Sequence, residues 1–347
     1  MLRRCKHVLG IAVIEDSNIA WSTTVGGPAD PVFQAGSISK PVTALAALEL
    51  AARGQVDLAA DVNDLLASWR LPGPQRVTLR DLLGHTAGIG VPFFPGYRQG
   101  ASTPTVAQVL DGLAPAVTPA VRADPAVHGA FRYSGGGYVI IQQLIADVTG
   151  VSFASAARAL VLEPVQMTSS TFDQPLPAEV RETAARADWH VYPEAAAAGL
   201  WTTPADLARL VCALQAALAG RPSDVRTQVA RQMLTPNISL PAKGEWNLMP
   251  LVGLRPPDSC GLGMFLHAGD RFSHIGGAAS FFSVLTASIS DGSGAVVMTA
   301  ANPTLHLFRL LRAVSDERQW HGFGQSGRKR LSGLPVLRGI GKSQHVL

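Results

Sequence analysis

Short β-like runs at both ends of this chain enclose a long helical middle, and no single motif restricts the fold as much. Residues 8–14 and 19–24 are rich in β-branched and apolar side chains, and Glu15-Asp16-Ser17-Asn18 between them has hairpin composition. The same texture returns after residue 255, where 262–267, 271–274, 281–288 and 295–299 are apolar runs joined by Gly- and Asp-rich turns. An amphipathic stretch, 305–314, reads as a last helix before Trp320. Strands at opposite ends of a chain satisfy their backbone groups by joining one sheet. The expected fold is therefore α/β with an inserted all-α part: an antiparallel sheet formed by both chain ends and flanked by helices. Its expected domains are a discontinuous α/β domain (1–60 and 240–322), a mainly helical domain (61–239) and a disordered, basic, Gly-rich tail (323–347).

Within the middle, capping chemistry marks helices. Residues 39–53 carry Val42, Leu45, Ala46 and Leu48 on one side, with Gly54 as the stop. Thr78-Leu79-Arg80-Asp81 reads as a capping box opening a short helix that ends by Gly88, and 137–149 reads as helix with Gly150 at its end. Thr203-Pro204-Ala205-Asp206 adds Pro at the first helical position, opening a helix to about residue 219. Length supports about two domains, at about 150 residues each. Hydrophobic residues at 47% against 16% charged exclude a disordered chain. The longest apolar run, 42–52, is broken by Glu49 and falls well short of the roughly 18 residues that read as a spanning helix.

Charge excludes a second class of function. The tail holds Arg328, Lys329, Arg330, Arg338 and Lys342 and no acid, so its five cations exceed the whole chain's +4 and leave residues 1–322 near −1. A basic tail on a near-neutral body is not a nucleic-acid-binding face, and no nucleic-acid partner is expected. Cys5, Cys212 and Cys260 have neither disulfide-framework nor metal spacing, and the nine His include no His-x-x-x-His pair, so neither metal nor cofactor is expected. The apolar run 8–14 is too short for a signal peptide and lacks a small-residue cleavage site. As written, the sequence places the protein in the cytoplasm.

The informative stretch is Phe33-Gln34-Ala35-Gly36-Ser37-Ile38-Ser39-Lys40. Ser37 and Lys40 lie three apart at a helix start, on one face with Cβ atoms about 5–6 Å apart. A serine hydroxyl is a weak nucleophile until a neighbouring base takes its proton. A lysine becomes that base when burial or the positive helix terminus lowers its pKa. Such a tetrapeptide taken alone reads by default as a helix cap with a solvated lysine, and Ser326-Gly327-Arg328-Lys329 repeats it without a helical setting. Lysine is rare here, five residues against twenty-four Arg, and Lys40 directly precedes an apolar helix.

The stretches FQAGSISKPVTALAALEL, VTLRDLLGHTAGI, FRYSGGGYVIIQQLIADVTG, GLWTTPADLARL, GLGMFL and FSHIGG, in this order, resemble the serine β-lactamase and penicillin-binding protein superfamily, especially its class C-like branch. The resemblance runs from about residue 8 to 320. It implies Ser37 as nucleophile and Lys40 with Tyr133 as general base and proton shuttle. Backbone N–H groups of Ser37 and Gly277 would form the oxyanion hole, and His274 and Gly276 would contact substrate. His274 would hydrogen-bond a substrate carboxylate or support Tyr133. Gly135 occupies the substrate-binding position of the family's Tyr-x-Asn element, where Asn helps hold the lysine and the substrate amide. Its lack of a side chain weighs against efficient β-lactam hydrolysis. His85 is read as structural, satisfying carbonyls at a helix end, and Trp201 as packing.

The resulting expectation is a cofactor-independent serine hydrolase, working through an acyl-enzyme on an ester, D-amino peptide or β-lactam carbonyl, with esterase or peptidase chemistry ahead of β-lactamase. Its partner is a small-molecule or peptide substrate. The alternative is a catalytically inactive, penicillin-binding-like module that senses peptide or glycan. Members of the resembled family are often exported to the periplasm or cell surface and usually have a helix before the first strand, so the resemblance implies either a misassigned gene start or a truncated protein and leaves localisation open. Oligomeric state and the pocket loops 89–130 and 236–258 are not legible.

Overall fold

The computed structural model describes residues 8–28, 30–241, 256–268, 270–301 and seven positions within 310–318. Cys5, the beginning of the expected last helix and the basic tail lie outside them. The strands are β1 (Leu9–Glu15), β2 (Asn18–Val25), β3 (Phe33–Gln34), β4 (Tyr97–Arg98), β5 (His190–Val191), β6 (Trp201–Thr202), β7 (Ile238–Ser239), β8 (Ser259–Cys260), β9 (Phe265–His267), β10 (Arg271–Ala278), β11 (Phe281–Ser288) and β12 (Gly294–Thr299). Eight of them form one antiparallel sheet in the order β2-β1-β12-β11-β10-β9-β8-β7, so the two ends of the chain meet where β1 pairs β12, from Leu9↔Thr299 to Ile14↔Gly294.

Both faces of this sheet are covered, which is why β1 reads as a continuous apolar run instead of an alternating one. Ala12 and Ile14 face the main core with Val296, Met298 and Leu285. Ile11 and Val13 face the opposite side with Val284, Ala295 and Val297, under Leu311 and Val314. Those last two belong to helical residues within 310–317, so the described part of the expected C-terminal helix covers the second face.

Capping residues set the helices much as expected. Thr78 and Asp81 form a reciprocal capping box, although the helix they open, Leu79–Leu83, stops at Gly84. The helix Pro204–Leu218 packs against β1, β2 and β12 and starts at Thr203, whose hydroxyl accepts from Asp206 N. The other half of that box differs. The Asp206 carboxylate accepts from Ser169 N, Ser170 Oγ and Arg209, a tertiary claim that local sequence does not display.

Three boundaries also differ. The helix Ser39–Ala52 is buried on all sides from Ser39 to Leu50, not on one stripe, because helices and sheet surround it. The helix Gly135–Thr149 begins two residues before the expected start: Ser134 caps Gly137 N, while Pro92 O and Val91 O take the N–H groups of Gly135 and Gly136. Residues 261–264 form a tight turn, closed by Gly261 N–H to Met264 O, that folds β8 onto β9. No single helix among the described residues is long and apolar enough to cross a membrane.

Candidate active site

Ser37 sits in a single 3-10 turn, Gly36–Ile38, that runs directly into the buried helix Ser39–Ala52. Four hydrogen bonds fix this turn. Ala35 N donates to Leu200 O (2.9 Å), Ser39 Oγ donates to Gly36 O (2.6 Å), Leu200 N donates to Ser39 Oγ (2.9 Å), and Ser283 Oγ donates to Ala35 O (2.8 Å). Gly36 has φ +54, and a Cβ there would lie 2.5 Å from Gly277 O. At Gly276 a Cβ would come within 1.8 Å of Ala35 O. Glycine at these two positions lets the Ser37 turn lie directly against β10.

Lys40 is buried, its Nζ 3.0 Å from Ser37 Oγ and 2.9 Å from Ala197 O. Removal from water disfavours the ammonium and lowers its pKa from 10.5 to about 7, so a large fraction is a free amine at neutral pH. Its Nζ also lies 4.9 Å from the Tyr133 ring centroid. Tyr133 shares a hydrogen bond with Ser37, and burial pushes its phenol above the usual range, so it holds its proton.

Two hydrogen bonds to His85 bracket Tyr133. Arg132 N donates to His85 O (2.8 Å), and Ser134 N donates to His85 Nδ1 (3.2 Å). The imidazole packs 4.6 Å from the Tyr133 ring and 5.3 Å from Tyr138, and burial beside Lys40 keeps it neutral. His85 is thus structural, but its ring accepts a backbone N–H where donation to a carbonyl was expected. Its φ of +60 makes that turn possible.

β10 runs four residues beyond the expected strand, through His274-Ile275-Gly276-Gly277-Ala278. β9 pairs only with Arg271–Ser273, so among the described residues the following edge of β10 has no strand neighbour in the sheet, and it lies against the turn that carries Ser37. His274 is buried, and its Nδ1 donates to Ile275 O at 2.9 Å, leaving Nε2 as an acceptor. Burial and the nearby Lys40 pull its pKa down to about 3. Gly277 is exposed, with nothing nearer than Phe282 at 3.9 Å from a Cβ placed there. A Cβ on Gly135 would point at Pro92 O (2.9 Å) and the Phe94 ring (3.0 Å).

The structure therefore brings Ser37, Lys40, Tyr133, His274, Gly276 and Gly277 together, while Gly135 packs against the 92–94 loop. Sequence reasoning missed Ala197, whose backbone carbonyl holds the amine. It also missed Phe93, an exposed aromatic in an irregular loop, which is a signal that was available. Trp201 is fully buried against Trp189 and Phe281, a packing residue as expected. Cys260 is buried with its thiol pushed up to about 12, so it stays protonated. Among the described residues no three His, Cys, Asp or Glu form a metal-binding group.

The β-lactamase family model matches residues 7–317. The chain belongs to the β-lactamase family. Penicillin-binding protein 4 of Amycolatopsis lactamdurans is 28% identical over 151 residues, 43% of this chain and 38% of that protein, so this family member spans well under half of that relative's length. Two solved structures share the fold. D-amino acid amidase of Ochrobactrum anthropi SV3 has TM-score 0.69 and 20% identity, over 90% of this chain and 95% of that one. The β-lactamase/D-alanine carboxypeptidase of Yersinia pestis has TM-score 0.68 and 18% identity, over 89% and 91%.

Proposed function

We propose that this family member is a serine hydrolase that passes through an acyl-enzyme on Ser37, with ester and amide carbonyls ahead of β-lactams. One observation carries the reading: the buried Lys40 amine, whose pKa burial lowers to about 7, lies 3.0 Å from the Ser37 hydroxyl. The free amine takes the Ser37 proton as Oγ attacks the carbonyl, and the N–H groups of Ser37 and Gly277 hold the oxyanion. Tyr133, a phenol throughout its resting state, relays that proton from Lys40 to the departing oxygen or nitrogen as the bond to the leaving group breaks. Water, deprotonated by the same amine, then attacks the acyl-Ser37 ester, and the Lys40 ammonium returns that proton to Ser37 Oγ as the bond to it breaks and the acid leaves. This division of labour makes Lys40 the base and Tyr133 the relay. The solved neighbours include an amide hydrolase, and the departing-group chemistry is common to esters and amides.

Gly135 supports placing β-lactams last. The direction its Cβ would take is blocked by Pro92 O and Phe94, so no side chain from this position reaches Lys40 or the substrate. The same departure favours the second reading, an inactive peptide- or glycan-sensing module. Labelling with a fluorophosphonate, read by peptide mass, separates the two: a Ser37 adduct absent from Ser37→Ala supports the hydrolase, and an unlabelled Ser37 supports the sensor. A panel of p-nitrophenyl esters, D-Ala peptides and a chromogenic cephalosporin then ranks substrates, with esters expected to exceed the cephalosporin.

A further inference from the structure

The same site, on the hydrolase reading above, also carries information about what enters it. A continuous aromatic surface begins at the nucleophile. Tyr133, hydrogen-bonded to Ser37, stacks on Phe265 at 6.2 Å with 20° between planes, and Phe265 lies 5.3 Å from the His274 ring. Phe93 also packs on Tyr133, at 5.7 Å with 37° between planes, and is 60% exposed. A single exposed apolar side chain is ordinary, but this one extends a wall of rings that ends at the reactive serine.

The polar groups here suit an uncharged guest. A carboxylate leaving water needs a cation or several N–H donors. The N–H of the His274 ring is spent on Ile275 O, so its other nitrogen offers only an acceptor. The Lys40 amine is engaged by Ser37 Oγ and Ala197 O. Arg132, adjoining Tyr133 in the chain, directs its guanidinium to Gly88 O and Asp124. Gly276 and Gly277 bring no side chain.

We propose that the site selects neutral esters or amides bearing an aromatic substituent that lies on Phe93 and Tyr133, and disfavours substrates with a carboxylate near the scissile carbonyl. The wall supplies stacking and apolar burial, while the His274 N–H, the Lys40 amine and the Arg132 guanidinium are already engaged by other groups.

Three esters with one leaving group test this: p-nitrophenyl phenylacetate, p-nitrophenyl acetate and mono-p-nitrophenyl glutarate, each kcat/KM divided by its uncatalysed rate. The phenylacetate is expected to exceed the acetate by about tenfold and the glutarate by more than about tenfold. Phe93→Ala should lower the phenylacetate-to-acetate ratio about fivefold, with Phe93→Trp restoring it. A glutarate hydrolysed as well as the phenylacetate, or a ratio unmoved by Phe93→Ala, overturns the aromatic, neutral selectivity. Ser37 labelling in the same preparation separates the failures. Labelling without aromatic preference sinks this inference alone, whereas turnover that survives Ser37→Ala, or no labelling, removes the hydrolase reading and this inference with it.

Discussion

On the proposed mechanism the chemistry concentrates in Lys40, and the behaviour of its amine with pH follows from burial. The ammonium is disfavoured below its ordinary range, so the reactive amine is present above about pH 7 and lost below it. The expected kcat/KM profile is therefore flat above about pH 7 and falls about tenfold per unit below it, measured with an ester that does not itself ionise. A profile rising towards acid would remove Lys40 as base. The neighbouring phenol depends on His85, which holds the peptide groups on both sides of Tyr133. His85→Ala is expected to lower kcat by about ten- to a hundredfold with little change in KM, because misplacing a reacting group is costly while the binding surface remains. His85→Asn keeps an acceptor and tolerates positive φ, and part of the loss should return. Equal falls in kcat and in folded fraction would make His85 merely a stability residue.

At the scale of elements, the approach of the 3-10 turn Gly36–Ile38 to β10 decides whether the site exists. Gly276 meets Ala35 O so closely that any side chain must push the turn away, whereas Gly277, one residue on, faces open space. Gly276→Ala should lower unfolding free energy by about 1–3 kcal/mol in urea titrations, and Gly277→Ala should stay within about 0.5 kcal/mol. Equal effects would contradict the contact geometry. His-x-Gly-Gly was legible as a motif. The strand through it was not, since two glycines weaken any strand pattern and the pairing partner, β11 from Phe281 to Ser288, supplies what local propensity lacks. The helix Gly135–Thr149 repeats the lesson, because Pro92 and Val91 carbonyls supply acceptors to glycines that carry little helix preference of their own.

For the whole molecule, holding a lysine inside the core opposes stability. The unfolded chain keeps the proton up to the ordinary pKa of 10.5, while the folded chain releases it near 7. Between those values the unfolded state binds more protons, so wild-type stability rises with pH, by at most about 1.4 kcal/mol per unit from this group. Lys40→Met removes that dependence. Its unfolding free energy relative to wild type should be greatest at and below about pH 7 and decline steadily towards 10.5, followed by urea denaturation across that range. A difference independent of pH would mean that Lys40 is not buried as the structure has it.

From order and chemistry alone, the sequence determined the meeting of two chain ends in one sheet, the capped helix starts, and three separated segments that carry a hydroxyl with an amine, a phenol and an imidazole. These are local or periodic signals: turn residues, caps, apolar runs and a three-residue spacing are carried by neighbouring side chains. Only the tertiary structure decided that Ala197 O holds the amine, that the His85 ring accepts from Ser134, that the His274 N–H is spent on Ile275 O, that Asp206 leaves its own cap, and that Gly135 faces a loop. Each of those depends on a backbone carbonyl, a ring tautomer or a Cβ direction set by distant chain, and such groups have no signature in the order of residues because packing alone assigns their partners.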